Sequence, residues 1–256
     1  MLKEFILSFQ SYRQAHQFIR QHRLWKWIII PGVVYAFILF VGFHVFLSAY
    51  DDATKFIIDE LHLNKWLNKL EASWLSFFFI ISKVFLDLLL IFICFSFYRF
   101  FLMIIGAPVF SFLSEKTEAL VNGVDMKFDF GLLLNDVERG IKVAIRNMGW
   151  QLVYMFTFIF ITLIPLIGWV CPLVLIFMDC YYVGFSMLDY SNKRNGIIES
   201  ESYEMIAHHR GLAIGNGMLF YALHIIPFIG WVFAPSYAVV AATLSLHNAK
   251  IKNIIA

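Results

Sequence analysis

A cluster of cations directly precedes a glycine-rich segment, and this combination of residue types could bind an anion. A His-His-Arg run ends at Arg210, Gly211 follows it, and Gly215 comes one helical turn later. The unpaired N–H groups at the start of a helix carry partial positive charge and attract anions. Glycines four residues apart also allow two helices to pack closely. The segment therefore predicts either an anion site at Arg210 and Gly211 or a tight helix contact, and the spacing leaves both open.

Ionisable residues also interrupt the apolar segments, where a charge is costly and usually serves a pathway or a buried partner. Lys83 and Asp87 are four residues apart, so a helix would place them on one face as an intramembrane charge pair. Their position fits either the membrane interior or its outer interface. Asp179 stands alone in a later apolar segment, where a structural hydrogen bond and the handling of protons or cations are both open.

Catalytic and metal-binding spacings are absent from the sequence. It contains no Gly-x-Ser-x-Gly, no phosphate-binding loop and no His-Glu-x-x-His. Its histidines and cysteines show no metal-ligand spacing. We therefore predict that the chain is not an enzyme and that it holds neither a metal nor a cofactor.

Composition places the chain in a lipid bilayer. Hydrophobic residues make up 61% of the 256 residues and charged residues 15%, against roughly 45–50% and 25% in soluble domains. The formal net charge of +2 is too small for a typical nucleic-acid-binding protein. We predict an all-α integral membrane protein with a single domain over residues 1–256. The lipid bilayer is its expected partner, and no nucleic-acid partner is expected.

Two apolar segments are long enough to form complete transmembrane helices. Residues 27–50 and 74–107 each exceed the ~20 residues that cross a hydrocarbon core of ~30 Å. The second segment is longer than a bilayer requires, so we expect it to tilt or to protrude into the aqueous phase.

Two further apolar segments, 151–188 and 212–246, are each divided near the middle by helix breakers. Their arms of roughly 12 to 17 residues are short for a full span. Proline and glycine in close succession predict a tight turn. We predict two helical hairpins, which either penetrate half of the bilayer and return or reach the opposite interface as thin pairs. The expected turn residues are Pro165, Gly168, Pro227 and Gly230.

Two amphipathic interfacial helices complete the predicted fold. Residues 1–26 repeat apolar residues at helical steps from Phe5 through Phe9 to Ile19. In the second helix, the expected apolar stripe contains Leu134, Val137, Ile141, Ile145 and Met148, and the opposite stripe contains Arg139, Lys142 and Arg146. The cationic stripe would either contact phospholipid headgroups or line a vestibule that concentrates anions.

The cations are distributed unevenly along the chain. Fifteen of the twenty Lys and Arg residues occur in segments that would share one face of the membrane. The loop 51–71, between the two predicted spans, has three Lys against five acidic residues. The positive-inside rule therefore predicts that both termini are cytoplasmic and that this loop is external.

Several motifs occur together in a recognisable order. Residues 106–118 begin Gly-Ala-Pro-Val-Phe and end Glu-Lys-Thr-Glu, and a Leu-Asp-Tyr triplet closes the first hairpin at 188–190. Both hairpin breaks read Ile-Pro-x-Ile-Gly. In this order and spacing the motifs resemble those of the CysZ sulfate permeases, which belong with the etoposide-induced membrane protein family. The resemblance extends over nearly the whole chain.

The resemblance implies a multi-pass homo-oligomer of the inner membrane, with two long spans and two hemi-penetrating hairpins, that takes up sulfate for cysteine synthesis. The family's proposed sulfate site uses a Gly-Ile/Leu-Arg-Arg run before the first span, where this chain has Arg23, Trp25 and Lys26. Lysine is a strongly hydrated point charge and lacks the bidentate fork of arginine. The resemblance therefore implies a permease or channel for sulfate or a related small oxyanion, with Arg23 and Lys26 at its anion site.

Two other functions are compatible with the same residues. A scaffold or lipid-interacting oligomer that transports nothing would use the hairpins and cations to bind the cytoplasmic leaflet. A transporter of cations or protons would instead use Asp87 and Asp179.

Overall fold

The computed structural model describes residues 1–60, 84, 103–124, 130–162, 170–194 and 196–252. Within these ranges the chain is helical and forms no strand, which confirms the predicted all-α class. The helices are α1 (Leu2–Gln21), α2 (Trp25–Glu60), α3 (103–122), α4 (Phe130–Thr162), α5 (Cys171–Arg194), α6 (Glu199–His208), α7 (Arg210–His224) and α8 (Ile229–Ile251).

Among the described residues, three stretches are long and apolar enough to cross a membrane: Trp25–Val45, Cys171–Lys193 and Ile229–Ile251. The first coincides with the predicted span 27–50, although α2 continues as one helix to Glu60. Most of the predicted span 74–107 lies outside the described residues. Long apolar helices of this kind are typical of a membrane protein.

Helix α1 packs against α7 and α8 and is an integral part of the bundle. The Ser8 hydroxyl donates a hydrogen bond to the Leu212 carbonyl at 3.1 Å, and the Tyr12 hydroxyl donates to the Asn216 carbonyl at 3.0 Å. Phe9, which we expected on the packed stripe, is exposed. The buried face of α1 is therefore rotated from the expected one, because polar side chains of α1 find backbone partners on α7.

Helix α4 buries only part of the expected apolar stripe. Leu134 and Ile145, from the expected apolar stripe, are 53% and 52% exposed, whereas Arg139 is only 7% exposed. The buried polar side chains on α4 are Asp136, Arg139, Asn147 and Gln151. The expectation was wrong for Arg139, because each of these polar side chains has a partner on α5. Of the expected apolar stripe, Leu134 and Ile145 face outward, while Val137 and Met148 still pack against the core.

Residues 225–228, which include Pro227, separate α7 from α8. Helix α7 ends before Pro227 and α8 begins after Phe228, whose backbone φ of 60° lies in the left-handed region. A Cβ atom on Gly230 would lie 2.0 Å from the Leu223 carbonyl oxygen, so the close return of the chain requires glycine there. The turn residues of the first hairpin, Pro165 and Gly168, lie outside the described residues.

Helices α5 and α7 approach each other through glycine. A Cβ atom on Gly217 would lie 1.8 Å from the Cys180 carbonyl oxygen, and one on Gly184 would lie 1.9 Å from the Ala213 carbonyl oxygen. Because the opposing atoms belong to helix backbones, neither can move aside without shifting a helix. The contact between α5 and α7 therefore depends on Gly217 and Gly184. The glycines four residues apart, Gly211 and Gly215, lie instead against Glu4 and Ser8 of α1.

We expect Gly217→Ala to lower the free energy of unfolding by about 2 kcal/mol or more, since it inserts a methyl group against a backbone carbonyl. Thermal melting of the purified protein in detergent measures the effect. Gly149→Ala in α4 is the matched control, because a Cβ atom there meets nothing within 4 Å. Equal melting temperatures for Gly217→Ala and Gly149→Ala would contradict the close packing of α5 and α7.

Candidate functional site

Two arginines from different helices line one cavity of about 400 Å³. Arg146 lies in the middle of α4, and Arg210 is the first residue of α7. The wall is completed by α5 and α6, so four helices are needed to form it. The residues that line the cavity are Arg146, Trp150, Tyr154, Phe177, Met178, Tyr181, Tyr182, Phe185, Tyr203, Ala207, Arg210 and Ile214.

The lining combines positive charge with aromatic surface. Seven of its twelve residues are aromatic, four of them tyrosines, and none is acidic. Among the described residues, no carboxylate forms an ion pair with Arg146 or Arg210. Both guanidinium groups are therefore available to compensate the charge of a bound anion.

Stacking fixes the position of Arg146. Its guanidinium carbon lies 3.9 Å from the centroid of the Tyr203 ring and 5.6 Å from that of Phe185. Arginine is attracted to the negative faces of aromatic rings at such distances. Stacking uses a face of the guanidinium plane and leaves the N–H groups at its edge free to donate. The edge is the part of arginine that binds carboxylate, phosphate and similar oxyanions.

Arg210 is held by a bond to its own chain. Its Nε atom donates a hydrogen bond to the Ala207 carbonyl at 2.9 Å. That carbonyl belongs to the last turn of α6, and its bond to Arg210 orients the guanidinium at the wall of the cavity. The terminal Nη atoms are the donors that Arg210 can direct toward an anion.

Tyr203 supplies a hydroxyl beside these arginines. Burial raises the pKa of Tyr203, and the negative charges of Glu199 and Asp189 raise it further, while the cations Arg146 and Arg139 act in the opposite direction. The phenol therefore stays neutral at physiological pH and keeps its O–H as a hydrogen-bond donor.

Polar contacts between α4 and α5 hold Arg146 in place. On one side of it, Arg139 and Asp189 form a bidentate ion pair with N–O distances of 3.1 and 2.7 Å. One residue after Arg146, the Asn147 amide donates to the Ser186 hydroxyl at 3.1 Å. A bidentate ion pair between an arginine and a carboxylate is strong and directional. These contacts fix the rotation of α4, and with it the direction of Arg146.

Asp189 also anchors helix α6, which carries Tyr203. The Ser202 hydroxyl donates to Asp189 Oδ1 at 2.5 Å, and the Asn192 amide donates to Ser202 at 2.9 Å. Arg139 Nη1 in turn donates to the Ile197 carbonyl, just before α6, at 2.6 Å. One buried carboxylate thus connects α4, α5 and the start of α6.

Asp179 has hydrogen-bond partners on two helices. It accepts hydrogen bonds from the Gln151 amide on α4 and the Tyr221 hydroxyl on α7. The side chain of Asp179 is 3% exposed. These contacts are consistent with a structural hydrogen-bonding role, one of the two roles expected for Asp179.

The predicted anion residues are distributed over two places. Arg23 and Lys26 are exposed at the connection between α1 and α2, which divides the predicted helix 1–26; Arg23 adopts a positive φ of 53° there. Arg210 lines the cavity. The Gly211 N–H donates to Glu4 Oε2 at 3.0 Å, so a carboxylate of the chain itself occupies the start of α7.

The His-His-Arg run contributes to the same arrangement. Glu4 Oε1 lies 3.0 Å from His209 Nδ1, and Oε2 lies 3.5 Å from the amino group of Met1. The attraction of a helix start for an anion therefore operates here, with Glu4 as the anion. Lys83 and Asp87 lie outside the described residues, and their pairing stays a prediction.

The sequence pattern only partly indicates the cavity. The expected cationic stripe of α4 divides into three environments: Arg139 is buried against Asp189, Lys142 is exposed and pairs with Glu138 at 2.7 Å, and Arg146 lines the cavity. The tyrosines of the lining were not predicted. Adjacent Tyr181 and Tyr182 in an apolar helix were a possible signal, because buried tyrosine hydroxyls seek polar partners.

Comparison with known proteins identifies the relatives of this chain. A family model described as sulfate transporter CysZ/etoposide-induced protein 2.4 matches residues 11–235. Proteins named sulfate transporter CysZ are 29% identical over 174 residues in Pseudomonas syringae pv. tomato, covering 67% of this chain and 68% of the relative. The corresponding protein of Pseudomonas fluorescens strain Pf0-1 is 24% identical over 246 residues, covering 93% and 92%. That of Pseudomonas aeruginosa is 27% identical over 185 residues, covering 70% and 74%.

The family match covers far more than half of the chain and agrees with the motifs at 106–118 and 188–190. The relatives are named as transporters. Together with the apolar helices, this confirms the predicted membrane-transport class. The chain belongs to the family of the sulfate transporter CysZ and the etoposide-induced protein 2.4.

Proposed function

We propose that the chain is a permease or channel for sulfate or a related small oxyanion, with Arg146 and Arg210 as its central anion ligands. The observation that carries the proposal is the cavity in which these two arginines meet tyrosines and no acidic residue. Two guanidinium groups match the double charge of sulfate, and their planar N–H edges match its oxygens. The names of the relatives support the same substrate.

The proposal also covers the assembly, the membrane and the orientation in which transport takes place. A homo-oligomer in the bacterial inner membrane, with both termini in the cytoplasm, would supply sulfate for cysteine synthesis. The concentration of cations in the segments outside the first loop supports this orientation. Arg23 and Lys26 would attract anions to the protein surface, while Arg146 and Arg210 would bind them in the cavity. Gly211 has no place among the ligands, because Glu4 already occupies its N–H.

Radiolabelled sulfate uptake into proteoliposomes tests the proposal. Vesicles that contain the purified chain should accumulate sulfate faster than protein-free vesicles and should lose the label when unlabelled sulfate is added outside. Uptake equal to that of protein-free vesicles would contradict transport and favour the non-transporting, lipid-interacting scaffold. Uptake of cations or protons without sulfate would favour the cation pathway through Asp87 and Asp179.

We expect the double change Arg23→Asn and Lys26→Gln to slow sulfate uptake about twofold to fivefold at low ionic strength, because exposed charges steer an anion from a distance. Asparagine is chosen for position 23 because it tolerates a positive φ. The difference should disappear in high salt, where screening shortens the range of exposed charges. Initial uptake rates at two salt concentrations measure both effects.

Lys3 and Arg13, which are exposed on α1, provide the matched control pair. Replacing both with glutamine removes the same charge away from the connection between α1 and α2. If that double variant slows uptake equally, overall charge rather than the position of Arg23 and Lys26 controls the approach of the anion.

A further inference from the structure

The Arg146–Arg210 cavity is larger than an inorganic oxyanion requires. Its volume of about 400 Å³ falls in the range of roughly 300–1,000 Å³ typical of sites for organic ligands. Sulfate consists of one sulfur and four oxygens and would occupy a small part of that volume. The unfilled part would contain water, unless the ligand carries a second group.

The wall of the cavity suits a second group that is apolar. Trp150 and Phe177 lie on the lining with 50% and 53% of their surfaces exposed. Met178 and Ile214 add aliphatic surface. Burying apolar ligand surface against such residues contributes about 25 cal/mol per Å². A fully hydrated inorganic ion gains nothing from them, because it has no apolar surface to bury.

The charged and aromatic parts of the lining lie side by side. Arg146 stacks directly on Tyr203, and Trp150 follows Arg146 by one helical turn of α4. An oxyanion bound at the guanidinium edge would therefore hold an attached ring or alkyl group close to the aromatic wall. Ligand sites of this composition, mainly aromatic with a few placed polar groups, recognise molecules that have both parts.

We infer that this cavity binds organic oxyanions, in which a sulfonate or sulfate-ester group is attached to an aromatic or alkyl group. The inference rests on the proposed role of Arg146 and Arg210 as anion ligands and extends the substrate class of that site. The guanidinium groups bind the charged end, and Trp150 and Phe177 cover the apolar end.

Calorimetric binding of three probes to the full chain in phosphatidylcholine nanodiscs tests the inference. The probes are 2-naphthalenesulfonate, methanesulfonate and the neutral 2-naphthol, each corrected for binding to protein-free nanodiscs. We expect 2-naphthalenesulfonate to bind at least about tenfold more tightly than methanesulfonate, because only its ring buries apolar surface. We expect 2-naphthol to bind far more weakly than 2-naphthalenesulfonate, because it lacks the anion.

Variants at the mouth of the cavity separate the contribution of its aromatic side chains from general partitioning of the probe onto apolar surfaces. Trp150→Ala and Phe177→Ala should each reduce the advantage of 2-naphthalenesulfonate, and both side chains are exposed enough to be replaced without unfolding the protein. Phe156→Ala is the matched control, because Phe156 is 61% exposed on the same helix and lies outside the cavity lining. Equal affinities for the two sulfonates, or an advantage that survives the double change Trp150→Ala and Phe177→Ala, would overturn the inference.

Membrane phosphates are the competing occupants of a basic site with aromatic walls. Loss of 2-naphthalenesulfonate binding in nanodiscs that contain phosphatidylglycerol would assign the cavity to lipid and overturn the inference. Sulfate uptake by the same purified protein in proteoliposomes distinguishes the two proposals. Uptake without preference for the aromatic sulfonate overturns only the inference, whereas preference without uptake supports the inference and contradicts sulfate transport.

Discussion

Arg146→Gln and Arg210→Gln are each expected to reduce sulfate uptake about tenfold to hundredfold at substrate concentrations below saturation. Each change removes one charged donor from the cavity that both residues line. A hydrogen bond to a charged group contributes about 1.5–3 kcal/mol, and each 1.4 kcal/mol corresponds to about a factor of ten in affinity. Initial uptake rates in proteoliposomes, normalised to the reconstituted protein, measure the loss.

Two further variants distinguish anion binding by Arg146 from a general effect of positive charge on uptake. Arg146→Lys keeps the charge but loses the planar fork and the stacking on Tyr203, so uptake should fall between wild type and Arg146→Gln. Lys142→Gln removes an exposed cation of the same helix, which pairs with Glu138, and should leave uptake unchanged. If Lys142→Gln and Arg146→Gln lose uptake equally, the cavity is not the anion site.

The two arginines contribute differently to the shape of the site. Arg146 is half-buried and stacked on Tyr203 with Phe185 nearby, whereas Arg210 is exposed and bonded to the end of α6. A change at Arg210 therefore also releases the Ala207 carbonyl. We expect the melting temperature of Arg210→Gln to stay close to that of wild type, because that carbonyl lies at an exposed helix end, where water can replace the donor.

The sequence predicts the features that depend on composition or on residues close together along the chain. Membrane class follows from composition, and a break in the helices near Pro227 follows from the local chemistry of proline. The start of α7 binds a carboxylate of the chain itself, that of Glu4. Its occupant was not predictable, because Glu4 lies 207 residues from Gly211 along the chain.

The prediction of which α4 residues are buried fails for the same reason. When α4 is considered alone, Arg139 is predicted to belong to the cationic stripe that contacts headgroups or lines a vestibule. Its partner Asp189 is 50 residues away and becomes adjacent only when α4 and α5 pack together. Periodicity assigns polar residues to the outside by default, so it does not predict a buried polar interface. The cavity is harder still to predict, because its lining comes from four helices.

Arg139→Ala is expected to lower the free energy of unfolding by about 3–5 kcal/mol, since it leaves the Asp189 carboxylate buried without its cation. The two side chains are 8% and 3% exposed, so water cannot replace the lost partner. The bonds from Arg139 to Ile197 and from Ser202 to Asp189 connect this pair to α6, so Tyr203 should also shift. Thermal melting in detergent measures the stability, and sulfate uptake measures the consequence for the cavity.

A double replacement separates the contribution of this pair to stability from its contribution to positioning α6. Arg139→Met with Asp189→Leu removes both charges together, and such exchanges of a buried ion pair are often neutral or stabilising. We expect the double variant to melt near the wild-type temperature but to transport sulfate poorly, because Ser202 loses its acceptor and α6 is no longer anchored beside Arg146. A double variant that melts as low as Arg139→Ala would show that an apolar pair cannot replace the ion pair here. Full uptake by a stable double variant would show instead that the ion pair maintains stability without positioning the cavity.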